Sequence, residues 1–403
     1  MNMALELSDA KNISSPNPLT NKQSVAVVGG SAAGLFTAAL LARQGIPVRV
    51  FERIETLEPE ERTLIVTNRM QALLGRAAQK SVVNEIRRFE LFTDGRAATV
   101  TLKHPDLIIE RRTLIKCLAE EAQHAGASIE LGRRFHALHP NGRGLVLEVD
   151  RCNDGTREEV RADTIIGGDG ASSRVAHAAG WAPLETVPLV QAIVPLPKDM
   201  SPNTARVWFV PQDTPYFYWL IPESPTRGAL GLIGVTGPET RRHLEKFLEK
   251  RKLDPIEFQG ARIPLYKKWV PVRRQVGQGS VYLVGDAAGQ VKVTTVGGIV
   301  TGFRGALGVA QAILNGRLSE LHTLRRELDL HLLLRRSLHD FRQADYSRLV
   351  DLLNDPAKQS LAEYSRDEAW KILWRVCLSQ PRLVLLGLRG LLSRSRSLRR
   401  TDL

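Results

Sequence analysis

The sequence predicts an α/β protein built on a nucleotide-binding β-α-β unit, with a second, antiparallel-sheet domain and a helical C-terminal region. Three observations carry this. A short apolar run, SVAVV at 24–28, leads through a glycine-rich turn and an Ala- and Leu-rich helix to a second strand, PVRVFER. Two later apolar strands, in 165–175 (IIGGDGASSRV) and 281–302 (VYLVGDAAGQVKVTTVGGIVTG), each end on Gly-Asp. Between them, the segment 186–275 changes character to short strand-like runs separated by prolines.

The elements follow in order. Residues 1–23 are polar, contain Ser14, Ser15, Pro16, Asn17 and Pro18, and lack the apolar core of a signal peptide, so they read as a disordered lead-in. The first helix runs from Leu35 to Arg43, and Gly45 stops it as a C-cap glycine would. Residues 111–127 carry apolar positions at helical spacing and end at Gly126. Strand-like stretches at 129–136, 144–150 and 157–166 have Asn141-Gly142 and Asp154-Gly155 between them, a pattern for a small antiparallel meander. Runs at 188–196, 204–210, 216–222 and 228–235, then a basic amphipathic helix at about 239–251, form the second domain. The strand at 280–285 returns the chain to the first unit, and 298–315 reads as a helix. The expected units are thus 24–185 with 276–316, then 186–275, then 317–403, which is helical and rich in Leu and Arg.

The first turn is Gly29-Gly30-Ser31-Ala32-Ala33-Gly34. In a GxGxxG pattern the first glycine permits the sharp turn, the second lets the backbone approach a pyrophosphate, and the third lets helix and strand pack closely. Ser31 takes the second glycine's place, with a hydroxyl able to donate to phosphate. The helix start offers free N–H groups and the positive end of its dipole. Glu52, 18 residues after Gly34, stands where an acid binds a ribose diol. This motif alone leaves FAD and NAD both open. At the later strand ends, Asp169-Gly170 and Gly285-Asp286 lie where ligands of α/β sheets bind, and Gly297-Gly298 opens a helix. An aspartate there can accept from ribityl hydroxyls. N–H groups at that helix start can face a flavin pyrimidine ring and stabilise the negative charge it gains on reduction.

Composition sets the surroundings. The 403 residues exceed a single core and are 43% hydrophobic and 25% charged. Cys117, Cys152 and Cys377 form no CxxC pair and no zinc set; their odd number points to a reducing, cytoplasmic compartment. The net charge of +13 attracts polyanions. No compact nucleic-acid motif accompanies it, so no nucleic acid is expected, and lipid head groups or phosphorylated ligands come first. The longest useful apolar run, Leu383 to Leu388, falls far short of the roughly 18–20 residues that span a bilayer.

Taken in order, the glycine-rich turn, the acid of strand two, GGDG and VGDAAG resemble p-hydroxybenzoate hydroxylase-like flavoproteins over residues 24–315. The stretch GDAAGQVKVTTVGGI is similar to the geranylgeranyl reductase pattern GDAAGxVxPxTGxGI, with Val293 in place of Pro and Val296 in place of Gly. The resemblance implies a Rossmann-type FAD-binding domain, with Gly29, Ser31, Gly34, Glu52, Arg53, Asp169 and Asp286 as FAD contacts. Arg111 matches the Arg that opens a helix in such proteins; Gly30, Ala33, Ala287, Gly297 and Gly298 complete the expected cofactor set. A bulkier Val296 narrows the space beside the flavin.

Substrate contacts are expected from Tyr216-Phe217-Tyr218-Trp219-Leu220-Ile221-Pro222, where Phe217, Trp219 and Ile221 share one face of a strand. FxWxIP resembles the (Y/F)xWxFP stretch of geranylgeranyl reductases, which lines a prenyl cavity, and the WxWxIP stretch of flavin-dependent halogenases. Halogenation needs a lysine after the second strand; none occurs between Glu52 and Arg76, and the first is Lys80. The Cys-Gly element frequent in prenyl reductases is absent from that segment too, which implies a divergent branch.

The tail, 369–403, combines Trp370 and Trp374 with Arg382, Arg389, Arg394, Arg396, Arg399 and Arg400. Such basic amphipathic segments lie in membrane interfaces, each basic residue near an anionic surface adding about 1 kcal/mol. A cytoplasmic protein peripheral on the membrane is expected. The leading reading is a reductase of carbon–carbon double bonds in a prenyl or similar apolar chain. A flavin monooxygenase is the alternative, and a flavin-binding protein without turnover the third. NADPH, bound transiently at the flavin cleft, or a ferredoxin drawn to the basic surface would supply electrons.

Overall fold

In the computed structural model the described residues are 24–401 except 60 and 143, with side chains described up to 391. The expected lead-in at 1–23 and the terminal arginines Arg394, Arg396, Arg399 and Arg400 lie outside these described side chains.

A six-stranded sheet organises the first unit. Its order is Arg273–Val276, Gly279–Leu283, Thr164–Gly167, Val25–Val28, Val48–Phe51 and Ser128–Glu130, parallel except at the first pair. Val25–Val28 and Thr164–Gly167 are buried at every residue, as expected for parallel strands covered on both faces. One covering layer is helical: Ala32–Ala42 packs against Arg111–His124 and Ile299–Asn315, with Phe36 edge-on to Phe303 at 5.3 Å. The other is the expected meander, Arg133–Asn141, Gly144–Arg151 and Arg157–Ala162, which places Leu145, Leu147 and Val149 in the same core. Its turns use Gly142 at φ 54° and Gly155 at φ 70°, the region that glycine enters without steric cost.

The register decides where the ligand side lies. Val28, Phe51 and Gly167 pair across the sheet, and Gly167 pairs with Leu283. The residues that follow each strand, Gly29, Glu52, Gly168-Asp169 and Val284 to Asp286, therefore leave along one edge.

The second sheet has eight strands, in the order Glu257–Pro264, Thr186–Pro195, Arg227–Ile233, Tyr218–Pro222, Thr204–Trp208, Val82–Thr93, Arg96–Glu110 and Thr63–Val66. All pairings are antiparallel except Thr204–Trp208 with Val82–Thr93. The last three strands come from the segment that the sequence reading placed with the first unit, so the sheet is assembled from both sides of the nucleotide-binding fold. Alternation along Tyr218–Pro222 gives it two apolar faces. Tyr218 and Leu220 pack with Trp208 against Leu244, Phe247 and Leu248 of the helix Gly237–Arg251. Phe217, Trp219 and Ile221 point the other way.

Five helices close the chain: Ser319–Leu338, Gln343–Asp351, Asp355–Glu363, Ala369–Ser379 and Pro381–Thr401. The third starts sharply because Asn354 accepts from the Ala357 N–H at 3.0 Å and Pro356 occupies the first turn, where no N–H is needed. It lies on the strand Arg96–Glu110, with Ala357 buried beside Ala98, Val350 and Leu353.

Candidate active site

The glycine-rich turn is built by exclusion. Gly29 has φ 102°, and a Cβ there would stand 2.5 Å from the Gly168 carbonyl oxygen. A Cβ on Gly34 would collide with the Gly29 carbonyl, and one on Gly168 would come 3.1 Å from Gly34 Cα. Strand ends one and three are thus pressed together without side chains, leaving backbone as the lining. Ser31 caps the helix, its Oγ accepting from the Gly34 N–H at 3.2 Å, which leaves the hydroxyl proton free to donate. The N–H groups of Ala32 and Ala33, in the first turn, have no intrahelical acceptor. Glu52 takes the Gly30 N–H at 2.6 Å on Oε2 and the Ile54 N–H at 3.1 Å on Oε1, so both carboxylate oxygens are aimed and each keeps a lone pair. Arg53 is exposed just beyond, and its carbonyl accepts from Cys152 Sγ.

Asp169 sits at the expected strand end with its carboxylate turned to its own loop. It accepts from Ser173 Oγ at 2.5 Å, the Arg174 N–H at 2.8 Å and the Val175 N–H at 3.2 Å. Burial raises its carboxyl above the usual range, and these hydrogen bonds oppose the rise. The side chain therefore shapes the loop beside Gly29, which the sequence pattern did not indicate.

At the fourth strand end, Gly285–Ala288 makes a single 3-10 turn with Ala287 buried. Gly285 stands against the first helix: a Cβ there would be 2.9 Å from Ala33 Cβ. Asp286 Oδ1 lies 3.1 Å from where a Cβ of Gly298 would be. Burial raises the Asp286 carboxyl, and the positive charges of Arg62 and Arg111 draw it back. Arg111 is where the sequence placed it, opening a helix, and its N–H donates to the Arg62 carbonyl at 3.0 Å. Arg62 carries no motif and escaped the sequence reading. From Val291 to Gly298 the chain forms a loop closed by the Lys292–Gly297 bridge. A methyl on Gly297 would meet only ordinary contacts, 3.7 Å to Thr295 Oγ1 and 3.8 Å to Lys292 Cε.

The apolar face meets this loop. Trp219, Phe217 and Ile221 cluster with Tyr216, Ile233, Val291 and Val296. Trp219 presses on Gly231, whose Cβ would lie 2.6 Å from the indole. Val296 holds φ 51°, an outlier for a β-branched residue, at the position where the resembled pattern has glycine. Relief of that strain, about 1–2 kcal/mol, offsets most of the burial lost on truncation, about 1.5–3 kcal/mol. Val296→Gly is therefore expected to cost no more than about 2 kcal/mol in chemical denaturation, below an unstrained buried valine.

The glycine cradle, the aimed acid and the free N–H groups suit a dinucleotide, and the comparisons agree. Residues 22–316 match the family model described as FAD binding domain. The chain belongs to this family of FAD-binding flavoproteins, and within it to the geranylgeranyl reductase type of FAD-dependent oxidoreductase. It is 28% identical to digeranylgeranylglycerophospholipid reductase 2 of Methanothermobacter thermautotrophicus over 84% of this chain and 91% of that one. It is 30% identical to digeranylgeranylglycerophospholipid reductase 1 of Methanopyrus kandleri, over 69% and 76%. The fold matches that of a geranylgeranyl bacteriochlorophyll reductase-like protein from Thermoplasma acidophilum, with TM-score 0.75 and 18% identity over 91% and 99% of the two chains. The expected fold class and reductase type are both supported.

Proposed function

We propose that the protein saturates carbon–carbon double bonds of a prenyl or similarly apolar lipid chain. The observation that carries this is the packing of Phe217, Trp219 and Ile221 against Val291 and Val296, which puts apolar surface on the loop that follows Asp286. Gly29, Gly30, Ser31, Ala33 and Gly34 would hold the pyrophosphate, Glu52 a ribose, Asp286 the ribityl chain, and Gly297 and Gly298 the ring. When bound, FAD would supply the hydride that one alkene carbon receives. The chain's own residues orient the alkene, keep water out and deliver a proton to the other carbon. An unactivated alkene accepts hydride poorly, so alignment and proton donation carry much of the barrier.

The two tyrosines of this segment divide by face. Tyr218 is turned to the helix Gly237–Arg251, stacked on Phe247, its hydroxyl on Asp213 at 3.0 Å. Tyr216 belongs to the cluster of Trp219, Val291 and Val296, with the Arg335 guanidinium 4.4 Å from its ring centre. Its place in this cluster is the ground on which we assign proton donation to Tyr216 Oη; burial raises the phenol, and the Arg335 charge opposes that rise. Tyr216→Phe is expected to slow alkene reduction about 100-fold while flavin reduction by the electron donor keeps its rate.

The electrons come from NADPH or a ferredoxin. Membrane contact is proposed through the last two helices. Trp370, Trp374 and Leu378, four residues apart on one face, are 63%, 65% and 69% exposed, and Leu385 and Leu388 continue the apolar surface. Among the described residues no helix is long and apolar enough to cross a membrane. In flotation with vesicles containing anionic lipid, the protein is expected to rise with the vesicles. The triple change Trp370→Ser, Trp374→Ser and Leu378→Ser should reduce the bound fraction at least tenfold.

The deciding experiment is anaerobic reduction of the flavin followed by a panel of prenyl lipids. Re-oxidation by a prenyl lipid without oxygen supports the reductase. If the flavin stays reduced until air is admitted, the monooxygenase reading replaces it.

A further inference from the structure

Beneath the Gly297-Gly298 turn lies an ion pair closed off from water. The side chains of Lys292 and Asp367 are 7% and 0% exposed. Lys292 Nζ donates to Asp367 Oδ1, and Thr67 Oγ1 donates to Oδ2. Asp367 reaches this place from the connection between the helices Asp355–Glu363 and Ala369–Ser379, so the partners come from distant parts of the chain. Its neighbour Arg366 bonds Asp106 at 2.6 Å. Burial works against a charge on Asp367, but the Lys292 ammonium and the hydrogen bonds from Lys292 and Thr67 outweigh it and hold the carboxyl low. Asp367 is thereby held as a carboxylate.

The pair's position is what asks for a role. The Lys292 N–H donates to the Gly297 carbonyl at 3.2 Å, and Lys292 Cε passes 3.8 Å from where a methyl on Gly297 would stand. The ammonium is one bond further on, against the turn assigned to the flavin ring. A buried ion pair is weak evidence for stability, because well-packed apolar side chains commonly serve as well or better. Charge in a dry interior acts strongly on a neighbouring group that changes its own charge.

We propose that Lys292 and Asp367 form a charge-balanced couple that sets the electron affinity of the bound flavin. Lys292 favours the negative charge gained on reduction, and Asp367 offsets that pull to a fixed degree. Both are positioning residues, acting through the turn at Gly297. The inference rests on the placement of the flavin ring against Gly297 and Gly298 given above.

Removing either charge should move the flavin midpoint potential, and in opposite directions. In anaerobic, dye-equilibrated titrations of the FAD-loaded protein, Asp367→Asn should raise the potential and Lys292→Met should lower it. Each should change the ratio of reduced to oxidised flavin at fixed poise at least tenfold, which is about 30 mV for a two-electron couple. The double variant Lys292→Met/Asp367→Asn, neutral again, should return to within about threefold of the parent ratio, because the two charges removed act on the ring in opposite senses. It also provides a comparison with Asp367→Asn if Lys292→Met does not fold. Shifts of the same sign in both single variants, no shift, or a double variant as displaced as the singles would overturn the couple. Gly297→Ala separates the two ideas, since its methyl meets no obstacle within the protein. If it weakens FAD binding and alters the flavin spectrum while the pair variants leave the potential unmoved, the couple alone fails. If it changes nothing and the potentials stay put, the ring placement fails and the couple with it.

Discussion

Gly29→Ala is expected to strip the protein of FAD. At φ 102° a Cβ would stand 2.5 Å from the Gly168 oxygen, 2.7 Å from its carbon and 2.9 Å from Asp169 Cα, all of them backbone. No side-chain rotation relieves this. Either the first strand end shifts away from the third, or Gly29 leaves its conformation; residues held in such regions cost about 1–3 kcal/mol before any clash is counted. Both routes move Ser31 and the first turn of the helix, which carry the N–H groups proposed to hold the pyrophosphate. A loss of about 3 kcal/mol in binding corresponds to a Kd raised more than roughly 100-fold. Fluorescence titration of the apoprotein with FAD measures it directly. Retention of parental affinity would mean that the two strand ends tolerate separation and that the cradle is not where the cofactor is held.

Trp219→Ala is expected to damage stability and catalysis together, and Trp219→Phe to separate them. The indole is 8% exposed, covers Gly231 and stands edge-on to Phe217 at 6.2 Å. Truncating a buried tryptophan to alanine costs about 3–5 kcal/mol, a loss visible as an earlier denaturant midpoint. Phenylalanine restores part of the volume and the aromatic edge, so most of that stability should return. Its smaller ring leaves a gap beside Val291 and Val296, where the prenyl chain would align. kcat/KM for a prenyl lipid should stay down at least tenfold in Trp219→Phe, about 1.4 kcal/mol of transition-state binding. Full recovery of kcat/KM with stability would reduce Trp219 to a core residue and move the substrate elsewhere.

Much of the nucleotide-binding half was legible because its signals are local. Val25 to Val28, the following glycines and Glu52 lie within one βαβ unit, and each follows from periodicity or a steric need for glycine. The meander was legible through Asn141-Gly142 and Asp154-Gly155. The strands Val82–Thr93 and Arg96–Glu110 were not read, for a physical reason. In VVNEIRRFELFT and RAATVTLKHPDLIIE charged residues interrupt the alternation, since each strand is only part-buried, although the two pair with each other as a hairpin across Asp94-Gly95. Separation along the chain hid Arg62 and Asp367, which meet Asp286 and Lys292 only after folding. Lys292 was in plain view within GQVKV, and a lysine between valines in a cofactor loop was the available signal. Asp169 shows the opposite limit: the strand end was found, but the turning of its carboxylate onto Ser173 and the next N–H groups is decided by loop geometry that no spacing reveals.

The way the eight-stranded sheet is threaded bears on how the protein is made. Val82–Thr93 waits for Thr204–Trp208 as its parallel neighbour, and Thr164–Gly167 waits for Gly279–Leu283. A chain emerging from the ribosome holds half of each sheet with an open edge until more than a hundred further residues have followed. Long-range pairing of this kind slows folding and leaves strands exposed meanwhile. Neither half makes a self-sufficient fragment, so expression of the nucleotide-binding segment alone should yield aggregate rather than a yellow domain. In the cell, the protein should depend on chaperones until its last sheet strand is in place.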